Sequence, residues 1–334
     1  MNMQSKVKGI VRGGQTLKQH RDEIMAKTKA SGHYAGLTER ALHKESPILY
    51  NKLFSRLRAG VVDARETAKK IAASPIVEQE GELCFTLYNA AGDSILTSTG
   101  IIIHVGTMGA AIKYMIENDW EGNPGIKDKD IFCNNDSLIG NVHPCDIHTI
   151  VPIFHEGELI GWVGGVTHVI DTGAVGPGSM TTGQVQRFGD GYSVTCRKIG
   201  ENDELKRDWL HESQRAVRTT RYWMLDERTR VAGCHMIRKL VEEVIAEEGI
   251  DAYWKFAYEA VERLITPEPV LAGPMLIVAI LGLFVNIGVF LLLMRGDRDH
   301  VTIKGALLHV LGDLLGSVGA ITAAVIIYYT NWTP

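Results

Sequence analysis

Two apolar runs near the C-terminal end constrain the fold of this chain more than any other feature. From Leu271 to Met294 the sequence reads LAGPMLIVAILGLFVNIGVFLLLM, without a single charged residue. The second run, GALLHVLGDLLGSVGAITAAVIIYY, contains only His309 and Asp313 as ionisable side chains. Because about 20 consecutive apolar residues cross a bilayer, the sequence predicts a pair of transmembrane helices at about 272–294 and 305–329. The alternative is a pair of buried core helices.

The residues before these runs have the mixed composition of a globular protein. The 334-residue chain carries 35 basic and 39 acidic residues, a net charge of −4, which gives no reason to expect nucleic acid as a partner. Its five cysteines are odd in number and never spaced as CxxC, which argues against a disulfide framework and favours a reducing compartment. The N-terminal sequence has no apolar core, so we expect no signal peptide and a cytoplasmic location for the soluble part.

Helical periodicity and strand patterns alternate through the soluble part. Ser46 and Pro47 are typical of a helix start, with the serine as N-cap. The predicted helices are 46–74, 105–118, 209–248 with a break at Gly233, and 252–261. ELCFTLY and SILTS flank the turn NAAGD and predict one β-hairpin, and 147–154 with 159–166 predict a second, beside a strand at 130–135. The fold class is therefore α+β: a mixed soluble domain with antiparallel hairpins and flanking helices, followed by a two-helix transmembrane hairpin.

The stretch NVHPCDIHTIVPIF, residues 141–154, is the strongest candidate for a site. Side chains alternate along a strand, so Asp146 and His148 share one face while Cys145 points away. His143 lies just before the strand, and His168 ends the return strand of the hairpin. We expect His143, Asp146 and His168 to converge, with His148 and Asp171 near them.

Two interpretations of this cluster remain open from the residues alone. Two histidines and one carboxylate form an open metal site that suits manganese, iron or zinc. Histidines at strand ends also often hydrogen-bond to turns, and an aspartate often caps one. The residues 134–136, Asn-Asn-Asp, are either partners behind the ligands or plain turn residues. The glycine-rich stretch 172–191 matches neither a phosphate loop nor GxGxxG, and is interpreted as a structural loop.

Longer segments of residues 1–262 resemble a known family. CNNDSLIGNVHPCDIHTIVPIFHEGELIGWVGGVTHVIDTGAVGPGSM is similar to the hydantoinase B/oxoprolinase superfamily, and within it to the alpha subunits of acetone carboxylases. GIVRGGQTLKQHRDEIM, NKLFSRLRAGVVDARETAKKIAASPIVEQEGELCFTLYNAAGD and RTTRYWMLDERTR are similar to the same subunits. The resemblance covers nearly four-fifths of the chain but only the N-terminal part of the much longer subunit.

This resemblance implies an ATP-dependent ligase that converts acetone and bicarbonate to acetoacetate. It implies a heterohexamer with beta and gamma subunits, in which ATP binds to the beta subunit. It also implies a manganese ion held by His143, Asp146 and His168, with His148 as a neighbour. Catalytic residues are not assigned, and we expect no activity without the rest of the alpha subunit and its partners.

The C-terminal runs resemble a different family. They are similar to the fourth and fifth membrane helices of cation diffusion facilitator transporters, which export zinc or cadmium. The sequence HVLGD places His309 and Asp313 one turn apart on one helix face, and the resemblance implies half of an intramembrane zinc site. A zinc efflux fragment is therefore the alternative function, with membrane lipid around the tail.

The two resemblances meet at a seam, 263–270, which separates the predicted domains 1–262 and 271–334. We hypothesise that the chain is a chimera. Arg295, Arg298 and Lys304 in the loop between the apolar runs predict a cytoplasmic loop in the inner membrane. That orientation would place the soluble part outside the cytoplasm, so the predicted membrane topology conflicts with the predicted location of the soluble part.

Overall fold

The computed structural model describes residues 9–180, 186–266, 272–294 and 301–330. They fall into two units, Met1–Thr266 and Pro267–Pro334. The loop arginines Arg295 and Arg298, part of the seam and part of the glycine-rich stretch lie outside the described residues.

The first unit combines helices with one antiparallel sheet whose strands differ in length. Its helices are α1 (Leu17–Ser31), α2 (Ala41–Glu45), α3 (Pro47–Ile71), α4 (Ile103–Glu117), α5 (Arg207–Ala216), α6 (Thr220–Glu248) and α7 (Ile250–Ile265). Its strands are β1 (Leu83–Asn89), β2 (Ser94–Thr97), β3 (Ile131–Asn134), β4 (Asp146–His155), β5 (Glu158–His168), β6 (Arg197–Glu201) and β7 (Glu204–Leu205).

The strands form one seven-stranded sheet in the order β2-β1-β5-β4-β3-β6-β7, and all the pairings are antiparallel. The hairpin of β4 and β5 lies at its centre and turns at Glu156 and Gly157, which both have positive φ. Its register pairs Asp146 with His168 at the open end. The predicted α+β class with antiparallel hairpins is confirmed.

Helices cover the central strands on both faces. On one face, the Tyr88 hydroxyl donates to the Val105 carbonyl (2.7 Å), which holds β1 against α4. On the other face, Arg230 Nε donates to Thr149 Oγ1 (3.0 Å), which ties β4 to α6. Since alternate residues of β4 face α4 and α6, the strand separates two different environments.

The predicted helix break at Gly233 is wrong. Helix α6 runs through this residue, and the interruption falls at 217–219, between α5 and α6. A Cβ atom at Gly233 or at Gly165 of β5 would collide with the ring of Phe85. Gly233 therefore serves the close packing of a helix on the sheet rather than a helix end.

Two further local expectations need correction. Helix α3 begins at Pro47 as expected, but the Ser46 side chain makes no cap hydrogen bond. Strands β6 and β7 were not predicted, because their sequences are short and rich in charged residues.

The second unit contains α8 (Ala272–Met294) and α9 (Val301–Thr330) among its described residues. The spans Met275–Met294 and His309–Tyr329 are long and apolar enough to cross a membrane, with mean hydropathies of 2.9 and 2.0. Only 6% and 17% of these spans is buried, which argues against the alternative of buried core helices.

Candidate metal centre

The open end of the β4–β5 hairpin brings two histidines to one carboxylate. Asp146 Oδ2 lies 3.2 Å from His143 Nδ1, and Asp146 Oδ1 lies 3.3 Å from His168 Nδ1. The two imidazole rings are 4.9 Å apart between centroids and nearly perpendicular. One ligand atom from each of the three residues lies within 4.8 Å of the others, the spacing needed to share one metal ion. The convergence expected from strand alternation is therefore present.

Hydrogen bonds within residues 141–146 fix the positions of His143 and Asp146 before the hairpin begins. The Asp146 N–H donates to the His143 carbonyl (3.1 Å), which closes a turn around Pro144. The buried amide of Asn141 donates to the carbonyls of His143 (2.9 Å) and Asp146 (2.9 Å). Sequence reasoning did not single out Asn141, although an asparagine two residues before the first ligand is a common turn signal.

Asp146 is the electrostatic centre of the cluster. It is only 1% exposed, and neither of its carboxylate oxygens has a hydrogen bond of ordinary geometry, nor does His143 Nδ1. Burial opposes ionisation of Asp146, but the His104 and His168 nitrogens outweigh it and hold its pKa well below the usual range. Burial lowers the pKa of His143, which favours the neutral imidazole that can bind a metal.

These donors fit a divalent ion of intermediate hardness. A buried ionised carboxylate that lacks hydrogen bonds of ordinary geometry is costly unless a cation offsets its charge. Two imidazoles and one carboxylate leave further coordination positions open for water or substrate. His143 keeps 27% of its side-chain surface exposed, whereas the side chains of Asp146 and His168 are 2% and 6% exposed. The site therefore opens beside His143.

Two residues expected near the ligands have other partners. His148 shares the face of Asp146 as predicted, but its Nε2 lies 3.2 Å from Thr107 Oγ1, and its burial lowers its pKa to about 3. Asp171 accepts hydrogen bonds from the Arg218 backbone N–H (2.6 Å) and guanidinium (2.7 Å). Neither belongs to the three-residue cluster.

The remaining candidates are structural by their contacts. The Cys145 thiol contacts the Ser179 carbonyl, and burial raises its pKa to about 12, so it is no thiolate ligand at neutral pH.

Asn135 and Asp136 make hydrogen bonds to the backbone nearby. Asn135 donates to the Pro144 carbonyl (2.7 Å), and Asp136 accepts from the Leu138 N–H (2.9 Å). Asn134 differs from these two residues, because its side-chain nitrogen Nδ2 lies 3.3 Å from Nδ1 of His148, a histidine of β4.

Sequence reasoning missed two residues of the site. His104, near the start of α4, places Nε2 3.4 Å from Asp146 Oδ1. Glu82, just before β1, places Oε2 3.3 Å from His168 Nδ1. Both come from distant parts of the chain, and no local spacing connects them to the hairpin.

The pair in α9 has a looser geometry. His309 Nε2 lies 3.7 Å from Asp313 Oδ2, with the two side chains 80% and 46% exposed. Asn286 of α8 donates to Ser317 Oγ of α9 at 3.4 Å. Among the described residues, no third metal-ligating side chain joins His309 and Asp313.

Comparisons with known proteins assign the first unit to a protein family. Residues 46–264 match the hydantoinase B/oxoprolinase family. The chain is 88% identical over 256 residues to the acetone carboxylase alpha subunit of Xanthobacter autotrophicus, covering 77% of this chain and 33% of that subunit. A solved nucleotide-free acetone carboxylase superposes with a TM-score of 0.76 at 87% identity, over 77% of this chain and 34% of that chain. An ATP-dependent caprolactamase from Pseudomonas jessenii shares the fold at 18% identity and a TM-score of 0.58, over 70% of this chain and 39% of that chain.

The tail has different relatives. Residues 254–334 match the cation efflux transmembrane domain. The zinc transporter ZitB of Pectobacterium atrosepticum is 58% identical over 78 residues, which is 23% of this chain and 24% of that protein. The chain thus spans about a third of the carboxylase subunit and about a quarter of the transporter. It belongs to the hydantoinase B/oxoprolinase family and carries a C-terminal segment of the cation efflux type, the combination expected of a chimera.

Proposed function

We propose that residues 9–266 bind a manganese ion through His143, Asp146 and His168, as the metal-binding part of an acetone carboxylase alpha subunit. The observation that carries this proposal is the buried Asp146 carboxylate, whose oxygens lie 3.2 Å from His143 Nδ1 and 3.3 Å from His168 Nδ1. A carboxylate in that setting needs a cation, and nitrogen and oxygen donors together suit manganese.

The chemistry follows from the ligand set. When bound, the ion acts as a Lewis acid that stabilises negative charge on an enolate or carboxylate oxygen. The three protein ligands bring one negative charge, so a divalent ion held by them would keep one positive charge that the ligands do not neutralise. His143 keeps 27% of its side-chain surface exposed and Asp146 only 2%, so a substrate would approach the ion from the His143 side.

The reaction proposed for the complete enzyme is the ATP-dependent carboxylation of acetone with bicarbonate to acetoacetate. The 88% identity to an acetone carboxylase alpha subunit supports it. We further propose that ATP binds to a beta subunit and that beta and gamma subunits are partners in a heterohexamer. This chain alone should show no carboxylation, because it spans about a third of the alpha subunit.

Metal analysis tests the ligand set directly. The purified full-length chain in detergent should retain about one manganese per chain after dialysis against manganese, because the three candidate ligands form a single site. The variant Asp146→Ala should retain almost none, since it removes the carboxylate between both histidines. The matched control is His155→Ala, which removes a partly buried histidine from the opposite end of the same strand and should bind manganese normally.

Equal manganese content in the wild type and in Asp146→Ala would refute the proposal. Loss of manganese in His155→Ala as well would point to a general defect of the fold rather than to a ligand. Circular dichroism of both metal-free variants separates these two outcomes.

A second candidate function is divalent cation efflux by the tail. The 58% identity to a zinc transporter and the placement of His309 and Asp313 on one helix face favour it. Zinc tolerance of cells that lack their own efflux protein tests it. We expect no tolerance from the full chain or from residues 267–334, because the described residues supply only two ligands. Tolerance that disappears in His309→Ala would instead support efflux.

A further inference from the structure

His104 lies against the metal centre but outside the ligand set. Its side chain is 2% exposed, and its Nε2 lies 3.4 Å from Asp146 Oδ1. Among the residues that the structure describes, only His143, Asp146 and His168 place ligand atoms mutually within 4.8 Å, so His104 reaches Asp146 without joining the cluster. The imidazole of His104 therefore contacts the carboxylate ligand from a different element, α4.

A buried chain of hydrogen bonds connects His104 to β6. His104 Nδ1 lies 3.1 Å from Thr107 Oγ1, which lies 3.2 Å from His148 Nε2. His148 Nδ1 lies 3.3 Å from Asn134 Nδ2, and Asn134 Oδ1 accepts the Cys196 backbone N–H at 3.3 Å. All four side chains in this chain are at most 6% exposed.

The backbone donor at the far end sets the direction of the bonds from Cys196 as far as Thr107. A backbone N–H can only donate, so it fixes Oδ1 of Asn134 as the acceptor and Nδ2 as the donor. Nδ1 of His148 then accepts, and its Nε2–H must donate to Thr107. Each group from the Cys196 N–H to the His148 Nε2–H therefore has a fixed role as hydrogen-bond donor or acceptor.

Thr107 passes this direction on to His104. Its hydroxyl proton can go to His104 Nδ1 (3.1 Å) or to the His104 carbonyl (3.2 Å). The second choice would leave a neutral His104 with a bare Nε2 lone pair against the Asp146 carboxylate, which is repulsive. The first choice gives His104 an Nε2–H that points at Asp146 Oδ1.

We propose that His104 is a positioning residue of the metal centre, held as an Nε2–H donor to Asp146 by the chain Cys196–Asn134–His148–Thr107. Its contact fixes the rotation of the carboxylate relative to His143 and His168. This inference rests on the proposed manganese site. Partners of this kind, which orient a ligand without touching the ion, change metal affinity by about 10- to 100-fold when removed.

Two amide variants of similar size test the donor. In His104→Gln the side-chain nitrogen reaches the place of Nε2, so the bond to Asp146 is kept. In His104→Asn the amide reaches only the place of Nδ1, so the bond to Thr107 is kept and the bond to Asp146 is lost. Manganese titration of the full-length chain, followed by electron paramagnetic resonance, should give a Kd near wild type for His104→Gln. For His104→Asn the Kd should rise about 10- to 100-fold, with a changed spectrum of the bound ion.

The outcomes separate this inference from the proposed function. If the wild type binds manganese and His104→Asn binds equally well with the same spectrum, the positioning role is overturned and the metal site stands. If the wild type takes up no manganese, both fall. If His104→Asn does not fold, Thr107→Val interrupts the same chain with the imidazole intact and should weaken binding in the same direction, and an unchanged Kd would overturn the inference.

Discussion

His20 is a partly buried histidine whose neighbours favour the neutral ring. Its Nδ1 lies 3.3 Å from Gln15 Oε1 and its Nε2 lies 2.9 Å from the Tyr258 hydroxyl. Nδ1–H can therefore donate to Gln15 while Nε2 accepts from Tyr258, which uses both nitrogens without a positive charge. Burial lowers the pKa of His20, with a smaller raising effect from Glu23.

This arrangement predicts a loss of stability in mild acid. The pKa of His20 in the folded chain lies below the unfolded value of about 6.5. As the pH falls through 6.5, the unfolded chain therefore binds a proton that His20 does not yet bind in the folded chain. The free energy of unfolding should fall by at most about 1.4 kcal/mol per pH unit from this group. Chemical unfolding at pH 7.5 and 5.5 should show a smaller decrease in His20→Gln than in the wild type. Equal decreases in both proteins would contradict the assignment.

The three candidate ligands, His143, Asp146 and His168, could be predicted from local sequence because their geometry is local. Asp146 and His168 are brought together by strand alternation and by one hairpin, whose register follows from its short turn. His104 could not be found in this way. Its approach to Asp146 depends on where α4 docks across the sheet, which is decided by packing between residues far apart in sequence.

Helix α6 shows how an element can mislead a local prediction. Gly233 resembles a helix stop in sequence, yet α6 continues through it, and the residue is a glycine because the ring of Phe85 fills the space that a side chain would need. The charged strand β6 was missed for a related reason. Arg197 and Lys198 find their partners Glu212 and Asp130 only in the folded unit.

This packing predicts opposite effects for two glycine substitutions. Gly233→Ala should lower the free energy of unfolding by about 1–3 kcal/mol through overpacking against Phe85, despite the better helix propensity of alanine. The matched control is Gly106→Ala in α4, where a Cβ meets no atom within 4 Å. That variant should be neutral or gain up to about 1 kcal/mol. Urea unfolding of both variants checks this, and equal effects would contradict the packing argument.

At the scale of the whole molecule, the chain joins a unit with a buried apolar core to a unit whose spans expose apolar side chains. Helix α7 buries Tyr253, Phe256 and Val261 in the first unit, although its residues from 254 onward also match the cation efflux domain. By packing it belongs to the first unit. The spans Met275–Met294 and His309–Tyr329 instead present apolar side chains with little protein cover.

This division predicts that the tail controls the location of the protein. The full chain should sediment with membranes and resist an alkaline wash, because each span buries about 20 apolar residues in lipid. A variant ending at Thr266 should stay in the supernatant, since its apolar residues already form a core. Fractionation of both proteins with detection by immunoblot measures this. Release of the full chain by the alkaline wash would contradict insertion.

The pairing of Asp146 with His168 has a consequence for how the sheet unfolds. The β4–β5 hairpin is closed by its turn at one end, and the proposed ion would join the two strands at the other. The segment from Asp146 to His168 would then be a ring at the centre of the sheet, flanked by β1 and β3. Opening that ring requires ligand dissociation first, so the lifetime of the bound ion would set a lower limit on the time needed to pull the strands apart.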